Sequence, residues 1–391
     1  MWIDELKENV IDLSLKRMRK FIAEQGKPPY KLIHVGGTNG KGSVSHFIYS
    51  ILRQRYKAGI YTSPHLERVN ERIIVDGEMI GDKDIEKYIW LKKYNFTYFE
   101  ALTAIALMHF LEKEVEYAVM EVGLGGRFDA TNVVDAIVTI ITNVSLEHEN
   151  FLGGSIEEIA REKAGIIKSA PVITAARGKA LEIIEAEARK KGVDIYVVGR
   201  DVRWEKLGKN EFLIESGERY KVKSPLYGSF QGENIALAIK TCELLDMERD
   251  DIIKGIKNTR LHGRMEIIGN YILDGCHNPA AVDAFSSSIG EFGEEFTFIF
   301  GAMKDKNVEE MVKRLPDGSI YIATKVDNER AMSPRQIAEI GRRYGKNFMV
   351  TENVKEAIEV AEKISQGMIC IIGSLYVVGE ARKILREKGL L

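Results

Sequence analysis

Short apolar runs rich in β-branched residues alternate along the chain with segments whose apolar positions recur every three or four residues. The runs "KLIHV" (31–35), "KAGIYT" (57–62), "EYAVMEV" (116–122), "AIVTIIT" (136–142) and "DIYVV" (194–198) read as strands. Of these, "AIVTIIT" is apolar on both faces, which predicts a central parallel strand. Between them, "SVSHFIYSILRQ" (43–54), "TYFEALTAIALMHFLEKE" (97–114) and the stretch 155–164 carry helical spacing, the second apolar enough to be mostly buried. This rhythm predicts an α/β protein with a largely parallel sheet.

The character changes at 202–223, "VRWEKLGKNEFLIESGERYKVK", which reads as short antiparallel strands with polar turns. Helical segments follow at 232–246 and 249–257, and "NTRLHGRMEIIGN" (258–270) has little periodicity and reads as a linker. A second α/β rhythm then begins, with strands expected at "YILD" (271–274), "FTFIFG" (296–301), "SIYIAT" (319–324) and "MICIIG" (368–373). The expectation is two domains, 1–261 and 262–391. The first is a P-loop-type, mostly parallel sheet domain with a small β excursion, and the second is a Rossmann-like α/β domain.

Composition narrows the class. A chain of 391 residues is long for one core, which agrees with two domains. Hydrophobic residues make up 45% and charged residues 29%, as in an ordinary globular protein. The formal net charge of -2 supplies no electrostatic reason to expect nucleic acid or a membrane surface as partner. Cys242, Cys276 and Cys370 lie far apart without C-x-x-C spacing, which fits a reduced, cytoplasmic chain. The N-terminal stretch is charged throughout and lacks a secretory apolar core, and no apolar run approaches the ~20 residues that span a bilayer. A soluble cytoplasmic monomer is expected.

Candidate chemistry starts at "HVGGTNGKGS" (34–43). A phosphate-binding loop of the form G-x-x-x-x-G-K-[ST] would have glycine where Val35 stands, and a hydroxyl residue where Gly42 stands. The context is nonetheless right: a strand, a glycine-rich turn and a helix start let backbone N–H groups and the helix dipole converge on an anion. Thr38, Asn39, Gly40, Lys41, Gly42 and Ser43 are the candidate phosphate-binding residues, with Lys41 the cation.

With no hydroxyl after Lys41, a magnesium ion accompanying ATP needs ligands elsewhere. Ser63, Glu121 and His148 each follow a predicted strand, and ligands collect at the carboxyl ends of strands in open parallel sheets. Taken singly, Ser63 also reads as a turn or cap residue, Glu121 as a solvated strand end and His148 as an ordinary loop histidine.

The ordered set "GTNGKGS", "TSPHLERVNERI", "FEALTAIAL", "EVGLGGRFDATN", "SLEHENFLGGSIEEIAREKAGIIK", "FQGENIALAI", "HGRME" and "LDGCHNP" closely resembles the folylpolyglutamate synthase/dihydrofolate synthase family, the folate branch of the Mur-type ATP-dependent amide ligases. The resemblance extends from about residue 11 to the C-terminus and includes "GAMKDK" (301–306) and "GSLYVVGEAR" (373–382). It implies that Ser63, Glu121 and His148 are magnesium ligands, and that Lys163 is the lysine this family carries as a carbamate, helping to hold a second Mg²⁺. A monovalent cation is a further candidate cofactor. The alternative for Lys163 is a plain surface lysine. Asn234, Arg264 and Asp274 resemble nucleotide-contacting residues, with His277 close enough to belong to the same site, and an arginine between domains can clamp phosphates when domains close. Ile11, Asp12 and Leu13, the run Thr97, Tyr98, Phe99 and Glu100, and Phe128, Asp129 and Ala130 match places where relatives hold a pterin. An aromatic wall with carboxylates suits such a group; for Phe99 the alternative is a simple core residue.

The implied reaction joins L-glutamate to a folate-type carboxylate through an acyl phosphate made from ATP. The enzyme is expected to serve both dihydropteroate and folates already bearing glutamate. No enzyme nucleophile is required, so Cys276 reads as packing. A Mur-type ligase acting on a UDP-sugar peptide is the alternative; Gly42 in place of a hydroxyl residue argues against it. A P-loop NTPase switch would want that hydroxyl and a strand ending in Asp, whereas "YAVMEV" carries Glu121.

Overall fold

The apolar run at 31–35 becomes strand β1 (Lys31–Gly36), buried at every position after Lys31, as a strand covered on both faces must be. The computed structural model describes residues 1–7, 10, 12, 14–146 and 152–391. Contacts divide the chain into two units. Met1–His65, Val69–Pro225 and Gln231–Thr259 form the first, and Leu66–Arg68, Leu226–Phe230 and Arg260–Leu391 the second.

The first unit's main sheet adds β2 (Ala58–Tyr61), β3 (Ile73–Val75), β4 (Glu78–Met79), β5 (Tyr117–Glu121), β6 (Val138–Ile141), β7 (Val172–Thr174) and β8 (Ile195–Val197). Among the described residues its order is β4-β3-β2-β5-β1-β6-β7-β8. The six strands from β2 to β8 in that order pair in parallel. Strands β3 and β4 are a hairpin on the β2 edge, turned at Asp76 and Gly77, both at positive φ. That Asp-Gly pair is a hairpin signal that the expectations above did not use.

Helices cover the sheet: α1 (Lys16–Gln25), α2 (Lys41–Leu52), α3 (Asp82–Lys87), α4 (Tyr98–Glu112), α5 (Ile156–Ala164), α6 (Gly178–Lys191), α7 (Gln231–Glu243) and α8 (Arg249–Asn258). Helix α4 is buried almost all round, and its Leu102, Ile105 and Phe110 share a core with Tyr61 and Met120 of the sheet. Helix α2 packs on α7 and α8, so the helix that starts at the glycine loop is itself enclosed. The excursion at 202–223 is an antiparallel three-stranded sheet, β9 (Arg203–Lys206), β10 (Glu211–Glu215) and β11 (Arg219–Lys223), with Phe212, Ile214, Tyr220 and Val222 buried in alternation.

The second unit holds β12 (Glu266–Ile268), β13 (Tyr271–Asp274), β14 (Phe296–Phe300), β15 (Ile320–Ala323), β16 (Phe348–Val350) and β17 (Met368–Ile372), in the order β12-β13-β17-β14-β15-β16. All pairings are parallel except β12 with β13. The stretch 258–270, expected to be a plain linker, therefore carries a strand. Ile267 and Ile268 pair with β13 around a turn at Gly269, whose φ is 57, and two isoleucines are too short a run to show periodicity. Within this unit Arg382 is buried and donates to Glu67 at 2.8 Å and to Glu266, while Arg386 also reaches Glu67. The α/β class expected from the sequence is the class observed. Among the described residues, no helix is long and apolar enough to cross a membrane.

Candidate active site

Strand order places the site. The loops after β5, β1 and β6 leave neighbouring strands at their carboxyl ends, with Val35 level with Glu121 and Gly36 level with Ile141. In an open parallel sheet this edge is where ligands bind. The loop 37–40 lies against the residues that follow β6. Thr38 N donates to Asn143 O at 2.8 Å, Asn39 N to Asn143 Oδ1 at 2.9 Å, and Thr142 Oγ1 to Asn39 O at 2.7 Å. Two glycines make this possible. Gly37 has φ 132, and a Cβ there would lie 1.9 Å from Thr142 Oγ1; Gly40, the cap of α2, has φ 84. Gly42 and the buried Ser43 form the first turn of α2, as expected.

Two lysines meet on one carbonyl. Lys41 Nζ donates to Gly37 O and Thr38 O, both at 3.0 Å, and Lys163 Nζ donates to Gly37 O at 2.9 Å. Lys163 is only 1% exposed, so it is not a surface lysine. Its helix, α5, is capped by Ser155 and carries Ile159, Ala160, Lys163 and Ala164 on its buried side.

Glu121 is 3% exposed, and its Oε2 accepts from Ser63 N at 3.2 Å. The β2–β5 pairing sets this up by placing Tyr61 level with Met120. A Cβ at Gly42 would stand 3.8 Å from Glu121 Oε2, so the carboxylate faces the position where a P-loop hydroxyl would be. Hard oxygen donors of this kind suit Mg²⁺. His148 lies outside the described residues, as do Ile11 and Leu13.

Asn234 joins this group from α7: it is 5% exposed, and a Cβ at Gly40 would come within 2.4 Å of its Oδ1. Its Nδ2 donates to Gln231 Oε1 at 2.9 Å. In the second unit, Arg264, Asp274 and His277 lie together at the end of β13. Asp274 accepts from Met265 N and Cys276 N, both at 2.8 Å, and His277 Nδ1 lies 2.8 Å from Gly275 O. Burial pushes the Asp274 carboxyl above the usual carboxylate range, against the opposing pull of the Arg264 guanidinium.

The pterin candidates divide. Thr97 and Glu100 form the capping box of α4, with Glu100 Oε2 accepting from Thr97 N at 2.8 Å. Tyr98 is buried beneath Arg72, whose guanidinium carbon lies 5.3 Å from its ring centroid. Phe99 is half-buried, 5.9 Å from the Tyr61 ring, so it both packs on the core and presents an aromatic face. Phe128 is exposed, Ala130 is buried, and Asp129 is buried with its carboxylate engaged inside its own loop. Arg17, which sequence reasoning missed, reaches both Asp12 and Glu100 at 2.8 Å. A lone arginine in a charged N-terminal stretch carries no local signal that sets it apart.

The Mur ligase middle domain matches residues 35–242, and the Mur ligase glutamate ligase domain matches residues 263–375. Together with the glycine loop at the sheet's switch point, these define a Mur-type ligase. A probable bifunctional folylpolyglutamate synthase/dihydropteroate synthase of Haloferax volcanii is 33% identical over 93% of this chain and 47% of its own length, so the chain spans about half of that relative. The dihydrofolate synthase/folylpolyglutamate synthase of Bacillus subtilis is 32% identical over 98% of each chain. The structure of E. coli FolC in complex with DHPP and ADP superposes with a TM-score of 0.91 at 27% identity, covering 99% of this chain and 97% of that one. The chain belongs to the folylpolyglutamate synthase/dihydrofolate synthase family.

Proposed function

We propose that this protein is an ATP-dependent ligase joining L-glutamate to the carboxylate of a pteroate- or folate-type acceptor, and that it serves both dihydropteroate and folates already bearing glutamate. The observation that supports this most directly is the meeting of Lys41 and Lys163 on the Gly37 carbonyl, beside Glu121, at a glycine loop that opens a helix. The Lys41 ammonium and the backbone N–H groups at the start of α2 suit a polyphosphate, and Lys163 stands at the base of the same loop. The E. coli relative is seen in complex with ADP and DHPP, which fits a nucleotide at this loop with a second ligand bound alongside it in the same protein.

The chemistry follows from what each part can do. A carboxylate is a poor electrophile at neutral pH, and transfer of the γ-phosphoryl group to it supplies a leaving group. The amine of glutamate then attacks, and phosphate departs from the tetrahedral intermediate. Lys41 exchanges the Gly37 and Thr38 carbonyls for phosphate oxygens, while the N-terminus of α2 orients them. Ser63 and Glu121, with His148, would hold Mg²⁺, which when bound neutralises charge on the phosphates. A carbamate on Lys163 would keep one N–H for Gly37 O and turn a cation into an anion. In the second unit, Arg264 and Asp274 are the proposed nucleotide-contacting pair. We assign 1–261 to nucleotide and acceptor binding and 262–391 to the glutamate-ligase domain. The three cysteines are buried and unpaired, which fits a reducing cytoplasm, and a monomer is the proposed state.

Purified protein given ATP, Mg²⁺ and L-glutamate, with dihydropteroate and tetrahydrofolate offered separately, tests the reading by phosphate release and product mass. One added glutamate on each acceptor is expected. Turnover of neither, with turnover of a UDP-sugar peptide, would overturn it.

A further inference from the structure

Three side chains of the first unit form a buried run of hydrogen bonds that no step of the proposed reaction uses. His34, two residues ahead of Gly36 on β1, is 1% exposed, and its Nε2 lies 2.8 Å from Thr131 Oγ1. The Thr131 hydroxyl donates its proton to Asp129 Oδ1, so its oxygen accepts from the imidazole, which makes His34 the Nε2–H tautomer. Asp129 Oδ1 also accepts from Thr131 N at 3.0 Å. Its other oxygen accepts from Gly123 N at 3.0 Å and Leu124 N at 2.9 Å. The run therefore joins the strand that feeds the glycine loop to the turn that follows β5.

That turn touches two groups named above. A Cβ at Gly123 would lie 2.4 Å from Phe99 Cζ, so the turn's backbone passes close beside the Phe99 ring with no room for a side chain between them. Further along the same loop, Arg127 N donates to Glu162 O at 2.9 Å and Asn132 Nδ2 donates to Gly165 O at 3.1 Å, tying it to the end of α5, which carries Lys163. A displacement of the turn would thus reach Phe99 first, while the α5 end keeps its own anchors.

We propose that His34 and Thr131 are positioning residues for the acceptor: through Asp129 they hold the Gly123 and Leu124 amides, and so the Phe99 ring, where a flat aromatic acceptor stacks. This rests on the acceptor reading given above. The hydroxyl is essential to the device because it accepts from one buried neighbour and donates to the next. Valine at 131 has the same shape but strands the His34 N–H and removes one donor from Asp129, a penalty that a local shift of the turn relieves.

The test uses the full chain with Thr131→Val and Thr131→Ser, reading acceptor KM, ATP KM and amide hydrogen exchange at Gly123 and Leu124. For Thr131→Val the acceptor KM is expected to rise about tenfold, the size of one lost buried hydrogen bond, with ATP KM within about twofold. Exchange at the two amides should quicken, and Thr131→Ser should restore all three readouts. Unchanged exchange at Gly123 and Leu124, an equal rise in both KM values, or a serine variant no better than valine would each overturn the proposal. Exchange needs no substrate, so a failure of the acceptor reading is distinguishable from a failure of the relay. Should Thr131→Val not fold, ¹⁵N NMR of the native chain decides: a proton on His34 Nε2 is required, and one on Nδ1 alone overturns it.

Discussion

The side-chain nitrogen of Lys163 donates to the main-chain oxygen of Gly37 at 2.9 Å, although 126 residues separate them. Lys41 reaches the same oxygen at 3.0 Å, so two lysines share one acceptor at the base of the glycine loop. Like charges this close repel unless an anion lies between them or one is converted to an anion. Phosphate supplies the first remedy and carbamylation the second.

Lys163→Ala is therefore expected to lower kcat by about a hundredfold or more, as loss of a preorganised charged group in a water-poor site does. Added short carboxylic acids should restore part of the rate if a carbamate is the working form. A variant with native activity and no response to acid would remove Lys163 from the site.

Glu121→Gln keeps the shape of a side chain that is 3% exposed but withdraws its charge. The fold should survive, with circular dichroism unchanged, while turnover drops on the order of a hundredfold. Titration with Mg²⁺ should show a weaker metal requirement curve, displaced to higher concentration. Near-native turnover at low Mg²⁺ would show that this carboxylate holds no metal.

Gly40→Ala meets two obstacles, a backbone at φ 84 and an Asn234 Oδ1 that would sit 2.4 Å from the new Cβ. The left-handed backbone alone costs about 1–2 kcal/mol. Adding Asn234→Ala should recover part of the loss, leaving a coupling on the order of 1 kcal/mol in a urea-denaturation double-mutant cycle. Strict additivity would mean that the two residues do not meet.

His34 is predicted to make stability depend on pH in the mildly acidic range. Burial, with a smaller contribution from Lys168, pulls its pKa from 6.5 to about 3. Below pH 6.5 the unfolded chain takes up a proton that the folded chain refuses, so stability falls on acidification from about 6.5 towards 3 and is flat above 6.5 with respect to this residue. The slope is at most about 1.4 kcal/mol per pH unit for one proton. His109, also lowered by burial, adds in the same direction. Denaturation at pH 5.5 and 7.5 should show a smaller difference for His34→Gln than for the native chain; an equal difference would refute the assignment.

The residues differ in how much of their role the sequence discloses. Glu121 was legible as the end of a strand and Gly40 as the turn into a helix, because both follow from local pattern and glycine's backbone freedom. Glu121 against Ser63 was not, since it requires β2 to pair with β5, strands separated by a hairpin and two helices. Lys163 was open between a carbamate-bearing site lysine and a plain surface lysine because helical spacing cannot say which neighbour covers a face. Arg17 escaped notice for the same reason: its meaning lies in Asp12 and Glu100, which only folding brings to it.

By itself, the sequence determined the alternation of strands and helices, the glycine loop with its missing hydroxyl and the family. These are local properties, set by side-chain periodicity, backbone freedom and the order of short motifs. Tertiary structure alone decided that Lys41 and Lys163 share Gly37, that Glu121 faces Gly42, and that His34 reaches the 123–124 turn through Thr131 and Asp129. Each of those depends on strand order and helix packing, which bring together residues far apart in the chain and remove water from between them.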